Sequence, residues 1–82
     1  MNEVFLIGKV VNEIYFNFLI ESKYISVASF YIKTVNKQII NIKAYDGLAD
    51  FTYRKLAIGN LVFVYGKLEQ DCAKARKLII MK

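Results

Sequence analysis

Three segments of this chain alternate apolar and polar side chains with a period of two, which is the pattern of β-strands. The segments are SVASFYIKT, QIINIKAY and LVFVYGKLE. Because successive strand residues point to opposite faces, Ala28, Phe30 and Ile32 are expected on one side of the first segment, and Val27, Ser29, Tyr31 and Lys33 on the other. ARKLIIMK is typical of a closing strand, and EIYFNFLI is expected to extend or to pair with the first strand of the chain.

The opening NEVFLIGKVV is apolar on both sides, which a strand with one solvated face does not require. We expect one side to enter the core and the other, with Phe5, Ile7 and Val11, to meet a partner subunit. The alternative is a strand buried on both faces within one subunit. Of the 82 residues, 56% are hydrophobic, which exceeds the usual share and favours a homodimer or homotetramer.

The segment DGLADFTYRKLAIG breaks the strand pattern and predicts a helix. Its side chains recur at near-helical spacing at Leu48, Phe51, Tyr53 or Lys55, and Leu56. Asp46 is expected to be the N-cap, and Gly59 supplies a stop. Three strands, one helix and two strands is the order of the OB-fold, a five-stranded Greek-key barrel with its helix between strands three and four. The sequence therefore predicts one all-β domain, residues 1–82.

The residue chemistry of the chain excludes most kinds of active site. The sequence has no histidine, a single cysteine (Cys72) and four scattered glycines, so we expect no metal, no cofactor and no catalysis. It has neither an apolar run of roughly 18 residues nor a signal peptide, which predicts a cytoplasmic protein with no membrane partner. The net charge of +5 favours a polyanionic partner such as nucleic acid.

Four blocks of the chain, taken in order, resemble bacterial single-stranded DNA-binding proteins. NEVFLIGKV is similar to their opening Asn-Lys-Val-x-Leu-Ile-Gly-x-Leu, and SVASFYIKT to their Val-Ala-Asn-Phe-x-Leu-Ala. IINIKAYDGLAD resembles Phe-Ile-Asn-Ile-Val-x-Phe/Trp-Gly-Lys-Leu-Ala-Glu, and LAIGNLVFVYGKLEQD resembles Leu-x-Lys-Gly-x-x-Val-x-Val-x-Gly-x-Leu-x-x-Arg. The match covers roughly residues 2–71.

The resemblance implies an OB-fold that binds single-stranded DNA without sequence preference, in replication, recombination or repair. Bases would stack on aromatic rings and phosphates would meet a basic groove. Tyr45 is the best single candidate, because the family has a stacking aromatic at this position. Lys37 lies in a shortened hairpin, and Arg76 and Lys77 are expected to flank the final strand. The other candidates are Tyr31, Lys33, Ile39, Asn41, Lys43, Phe63, Tyr65 and Lys67.

The chain also departs from the family pattern. It has no tryptophan, its hairpins are short, and no acid-tipped tail follows the last strand. It resembles a minimal form of the family, and we expect no tail-mediated protein partners. Two alternatives stay open: a primosome-type or RNA-binding OB-fold protein, and an interaction module with this fold that binds no strand.

Overall fold

The computed structural model describes residues 2–18 and 25–81. Within these ranges the chain forms six strands and one helix. They are β1 (Glu3–Val10), β2 (Tyr15–Phe18), β3 (Ser26–Thr34), β4 (Ile39–Tyr45), α1 (Asp46–Lys55), β5 (Leu61–Leu68) and β6 (Ala73–Ile80). The short β2 is additional to the five long strands that the sequence predicts, and α1 lies where the OB-fold requires its helix.

The five long strands close into a barrel in the order β1, β5, β6, β4, β3 and back to β1. Neighbours are antiparallel except β4 and β6, which run parallel. The ring closes where Gly8 to Val10 pair with Ile32 to Thr34. A Cβ added at Gly8 would lie 2.9 Å from the Lys33 carbonyl oxygen, so glycine permits this close approach. The predicted OB-fold barrel is confirmed.

Strand β2 continues the line of β1 along the same edge of β3. Tyr15 lies opposite Ser29, three β3 residues before the Ile32 that faces Val10. Two hydrogen bonds hold the corner between β1 and β2 against β3. The Val11 N–H donates to the Tyr31 carbonyl (3.0 Å), and the Tyr31 N–H donates to Asn12 Oδ1 (2.9 Å). Strand β2 therefore extends the first strand, and its described residues do not pair with it. Leu19 and Ile20, the end of the predicted EIYFNFLI segment, lie outside the described residues.

The barrel interior is a single apolar core to which the long strands all contribute. Phe30, Ile32 and Ile42 are fully buried, and the inner side chains of β1 pack against them. On the outer side of β1, Phe5 is 68% exposed and Ile7 52% exposed. The hypothesis of a strand buried on both faces within one subunit is therefore wrong, because β1 is a barrel wall with solvent on its outside.

Helix α1 packs against β3 and β4 through small side chains. Leu48 and Leu56 of the predicted helical face pack against the core, as expected, but Phe51 and Tyr53 are exposed, and the fully buried helix residues are Ala49 and Thr52. Because α1 lies against β3 and β4, bulky rings at the buried helix positions would hold the helix away from the sheet, and the small Ala49 and Thr52 occupy these positions instead. Asp46 is not the N-cap. It is the first helical residue, and the N-cap is Tyr45, whose side chain makes no capping bond.

Strand β6 contains a β-bulge at Arg76. Tyr65 pairs with Lys77 and Gly66 pairs with Ala75, so the residue between them has no partner. Arg76 and Lys77 therefore lie in the middle of β6 and do not flank it as predicted. A Cβ at Gly66 would overlap the Lys74 carbonyl oxygen, so glycine allows the backbones to meet at the bulge.

Candidate nucleic-acid interface

The outer surface of the barrel divides into two faces with different chemistry. The front face comprises the outward residues of β2, β3 and β4 with the first outward residue of β6: Tyr15, Asn17, Val27, Ser29, Tyr31, Lys33, Ile39, Asn41, Lys43, Tyr45 and Lys74. The back face comprises the outward residues of β1, β5 and the rest of β6: Glu3, Phe5, Ile7, Lys9, Leu61, Phe63, Tyr65, Lys67, Arg76, Lys77 and Ile79.

The front face brings together six of the predicted binding residues. Cross-strand pairing places Tyr31 beside Asn41 and Lys33 beside Ile39. Lys43 and Tyr45 follow along β4, on the side opposite the buried Ile42 and Ala44. Neither β3 nor β4 contains an acidic residue. Lys33 and Lys43 therefore have no carboxylate of their own strands beside them.

Asn41 uses both hydrogens of its side-chain amide within the sheet. It donates to Ser29 Oγ and to the Phe30 carbonyl oxygen, each at 3.0 Å. Because these bonds cross from β4 to β3, they fix the two strands on which the aromatic and basic residues stand. Asn41 is thus a positioning residue of the front face, and its side-chain oxygen is the atom available to a ligand.

The ring of Tyr45 already has a cation over it. The Lys74 ammonium lies 4.9 Å from the ring centroid, within the range of a cation–π interaction. Lys74 reaches this position because β6 pairs in parallel with β4, with Lys43 opposite Lys74. A base that stacks on this side of Tyr45 must displace the ammonium, which can then move to a phosphate.

Among the aromatic and basic residues of the front face, sequence reasoning missed two, Tyr15 and Lys74. Tyr15 lies in YFNF, where large side chains on both sides hide the alternation. Lys74 precedes ARKLIIMK, the predicted closing strand, whereas β6 already begins at Ala73. A predicted closing strand that began two residues earlier would have included Lys74. The parallel pairing of this strand with β4 has no local signal in the sequence.

Lys37 lies in the turn between β3 and β4, at one end of the front face. Its backbone adopts a positive φ of 66°. Its N–H donates to the Thr34 carbonyl (2.9 Å), and the Thr34 N–H donates to the Gln38 carbonyl (2.9 Å). The turn is therefore tight, and the exposed Lys37 side chain extends the positive charge of Lys33 past the strand ends.

The back face receives the other predicted binding aromatics, together with the predicted interface residues Phe5 and Ile7. The ring of Phe5 lies 5.7 Å from that of Phe63 and 4.7 Å from that of Tyr65. Lys67 and Lys77 flank this cluster on β5 and β6. The structure thus separates Phe63, Tyr65, Arg76 and Lys77 from the front face and joins them to the candidate subunit interface. Lys67 lies at the border, because it pairs with Lys74 of the front face.

Tyr65 is tied to β1 by its hydroxyl group, which donates to Glu3 Oε1 at 2.8 Å. This bond raises the pKa of Tyr65, because ionisation would place a phenolate against the carboxylate. Val11, the third predicted interface residue, lies at the β1–β2 corner, where its N–H reaches Tyr31. It is four residues from Ile7, about 13 Å along the chain, and does not join the Phe5 cluster.

The remaining chemistry of the described residues is sparse. Cys72 is buried beside Glu69, and burial raises the pKa of its thiol. Residues 2–18 and 25–81 contain no group of His, Cys, Asp and Glu arranged to hold a metal ion. The helix in these ranges is too short and too polar to cross a membrane.

The barrel and its helix match solved structures over almost the whole chain. The SSB domain of a protein from Synechococcus sp. superposes with a TM-score of 0.86 at 14% identity, over 95% of this chain and 93% of the other. The chain has the fold of an SSB domain. No protein-family model and no curated protein matches its sequence.

Two further structures with this fold come from Thermus aquaticus. Its wild-type single-stranded DNA binding protein matches with a TM-score of 0.88 at 18% identity, and a deletion mutant matches with 0.87 at 19%. Each match covers 100% of this chain but only 41% and 42% of the Thermus chains. This chain therefore spans about two-fifths of their length.

Proposed function

We propose that the protein binds single-stranded DNA without sequence preference, on the front face and without catalysis. Its context is replication, recombination or repair in the cytoplasm. The observation that carries the proposal is the mixture of tyrosines, one exposed and one half-buried, with lysines on two strands that contain no acid. Aromatic platforms beside a basic groove are how OB-folds hold single strands. The printed names of the matching SSB structures support the same function.

Base stacking and phosphate neutralisation would together bind the single strand on the front face. Base stacking on Tyr31, which is 42% exposed, and on Tyr45 is tolerant of sequence, because every base has a π-face. Lys33, Lys43 and Lys74 would neutralise backbone phosphates and release counterions. Duplex DNA hides the faces of its bases, so the same surface should discriminate strongly in favour of single strands.

The proposal includes self-association through the back face and β1. Strand β1 pairs with β5 from Glu3 to Lys9, whereas its pairing with β3 is confined, within the described chain, to Gly8, Lys9 and Val10. The backbone from Glu3 to Ile7 therefore has a free edge, next to the exposed Phe5 and Ile7. A second copy that pairs along this edge would cover both the edge and the apolar side chains.

The test is a set of titrations with a single strand, the matching duplex and the RNA of the same sequence. We expect the single strand to bind most tightly, with a log–log salt slope of about −3 if four or five phosphates are neutralised. Tighter binding of RNA than DNA would replace the proposal with an RNA-binding function. Equal affinity for the duplex, or a flat salt response, would overturn it.

A pair of tyrosine substitutions tests whether the single strand binds on the front face. Tyr45→Ala should weaken binding of the single strand by roughly 1 to 3 kcal/mol, the range for one lost base–aromatic stack. Tyr65→Ala removes a back-face tyrosine and is the matched control, with affinity per protomer unchanged. Both variants are first compared with the unmodified protein by thermal unfolding. A larger loss of binding in Tyr65→Ala than in Tyr45→Ala would move the interface to the back face.

A further inference from the structure

Tyr15 has the most exposed aromatic ring of the front face. It is 65% exposed, compared with 42% for Tyr31, and Tyr45 is less exposed still. Asn17, two residues along the same side of β2, donates from Nδ2 to the Tyr15 hydroxyl oxygen at 3.2 Å. The hydroxyl end of the ring is thus held in one direction along the strand, while most of the ring surface stays open to solvent.

Tyr15 also begins a row of side chains that crosses four strands. It faces Ser29 on β3, Ser29 faces Lys43 on β4, and Lys43 faces Lys74 on β6. Neighbouring strands lie about 4.8 Å apart, so the row is about 14 Å long. The small Ser29 lies between a ring at one end and two ammonium groups at the other. The row is therefore aromatic at one end and cationic at the other.

We propose that Tyr15 is a further base-stacking residue and that the bound strand follows this row, with its phosphates at Lys43 and Lys74. The proposal rests on the proposed single-strand binding and adds a subsite and a direction to it. The strand would run across the β-strands and past β3 onto β2. It would not stay on the β3–β4 hairpin.

The environment of each ring makes Tyr15 the stronger platform. Stacking on the covered side of Tyr45 requires the Lys74 ammonium to leave the ring. In the described ranges no aromatic ring or ammonium lies over Tyr15, so a base meets it without displacing a protein group. The loss on removing Tyr15 should therefore exceed the loss on removing Tyr45.

The position of Tyr15 is set by the sheet. All four residues of β2 pair with β3, and the preceding corner is bonded to Tyr31 through Val11 and Asn12. A platform that is held in place before the ligand arrives loses little conformational entropy on binding. Tyr15 thus meets the requirement for a preorganised contact, although it lies outside the five long barrel strands.

The experiment is a titration of the full chain with oligothymidylate of about 16 nucleotides, the upper site size of one OB-fold. Tyr15→Ala should weaken binding roughly 5- to 150-fold. Tyr15→Phe keeps the ring and should bind like the unmodified protein. Tyr65→Ala removes a tyrosine of the back face, away from β2, and is the matched control, with affinity per protomer unchanged. The chain has no tryptophan, so quenching of tyrosine fluorescence reports stacking directly.

The outcomes separate this inference from the function on which it rests. If the unmodified protein fails to bind oligothymidylate at low salt, the proposed function falls and the inference with it. If it binds, but a folded Tyr15→Ala variant keeps its affinity and its quenching, only the inference is overturned. Lys74→Ala should reduce the salt slope by about 0.7, as for one lost phosphate contact. An unchanged slope would remove Lys74 from the path.

Discussion

The front and back faces of this barrel both carry tyrosines and lysines, yet they differ in what surrounds each ring. On the back face, Phe5 lies against Phe63 and Tyr65, and Tyr65 is bonded to Glu3. On the front face, Tyr15 and Tyr31 stand beside polar or basic side chains, and Tyr45 has an ammonium over it. We therefore expect the packed rings of the back face to meet a second copy of the chain, and the separated rings of the front face to meet the bases of a polyanion.

The two faces stand on one shared core, so the largest loss of stability should come from a core substitution, which affects both faces equally. Phe30 is fully buried, and Phe30→Ala should cost about 3 to 5 kcal/mol of unfolding free energy. A domain of this length has roughly 4 to 12 kcal/mol in total. Denaturant unfolding should show the loss, with strand binding and self-association falling together. Val35→Ala, at a 90% exposed position, should change stability by less than about 0.5 kcal/mol.

A pair of charge substitutions should separate the faces. Phe5→Glu places a carboxylate where we expect a subunit contact, at a cost of at least about 3 kcal/mol of association free energy. Sedimentation should then show a monomer that still binds the single strand. Tyr31→Glu, the matched change on the front face, should keep the parental mass but lose affinity for the strand. A monomeric parent protein would contradict the assignment of the back face.

Two lysines allow a finer comparison by salt dependence. Lys43→Ala should reduce the log–log salt slope of single-strand binding by about 0.7, because one phosphate contact is lost. Lys77→Ala removes the same charge beside Tyr65 on the back face and should leave the slope unchanged. Titrations at several salt concentrations measure both slopes. Equal reductions would mean that the strand wraps around both faces of the barrel.

The smallest effect concerns the ionisation of Tyr65. Its pKa is raised above the ordinary tyrosine value, chiefly by the bond to the Glu3 carboxylate. The bond is therefore present at neutral pH and is lost as the pH rises through this raised pKa. An absorbance titration of the protein, minus that of Tyr65→Phe, isolates this group. Glu3→Gln should lower its midpoint towards the ordinary value, and an unchanged midpoint would show that the contact is absent in solution.

The sequence predicted those parts of the fold in which neighbouring residues carry the signal. The alternation of Phe30, Ile32 and Ile42 with outward polar residues located β3, β4 and the front-face candidates. The sequence-based prediction was wrong where the period-two alternation of the strands or the spacing of the helix is interrupted. The bulge at Arg76 shifts the register of β6, and the close helix–sheet approach turns Phe51 outward in favour of Thr52.

The missing part of the candidate site depends on pairing between distant segments. Nothing near Lys74 in the sequence indicates that β6 will lie parallel to β4, so its place beside Lys43 and over Tyr45 could not be predicted. Tyr15 was hidden for a different reason, since β2 is too short and too uniformly bulky to show which side faces solvent. The division of the candidates into two faces likewise follows from barrel closure.

The parallel seam between β4 and β6 is the narrowest in the described barrel, with pairing of Ile42 to Ala73 and of Lys43 to Lys74 alone. Short seams open first in local fluctuations, and their amides exchange hydrogen with solvent sooner than those of long ladders. A DNA strand bound at both Lys43 and Lys74 would cross the β4–β6 pairing and hold these two β-strands together. With ligand at about 100 times its Kd, exchange through the open seam should slow roughly 100-fold. Bound single-stranded DNA would thus keep the barrel closed between β4 and β6, where the described strands have the fewest paired residues.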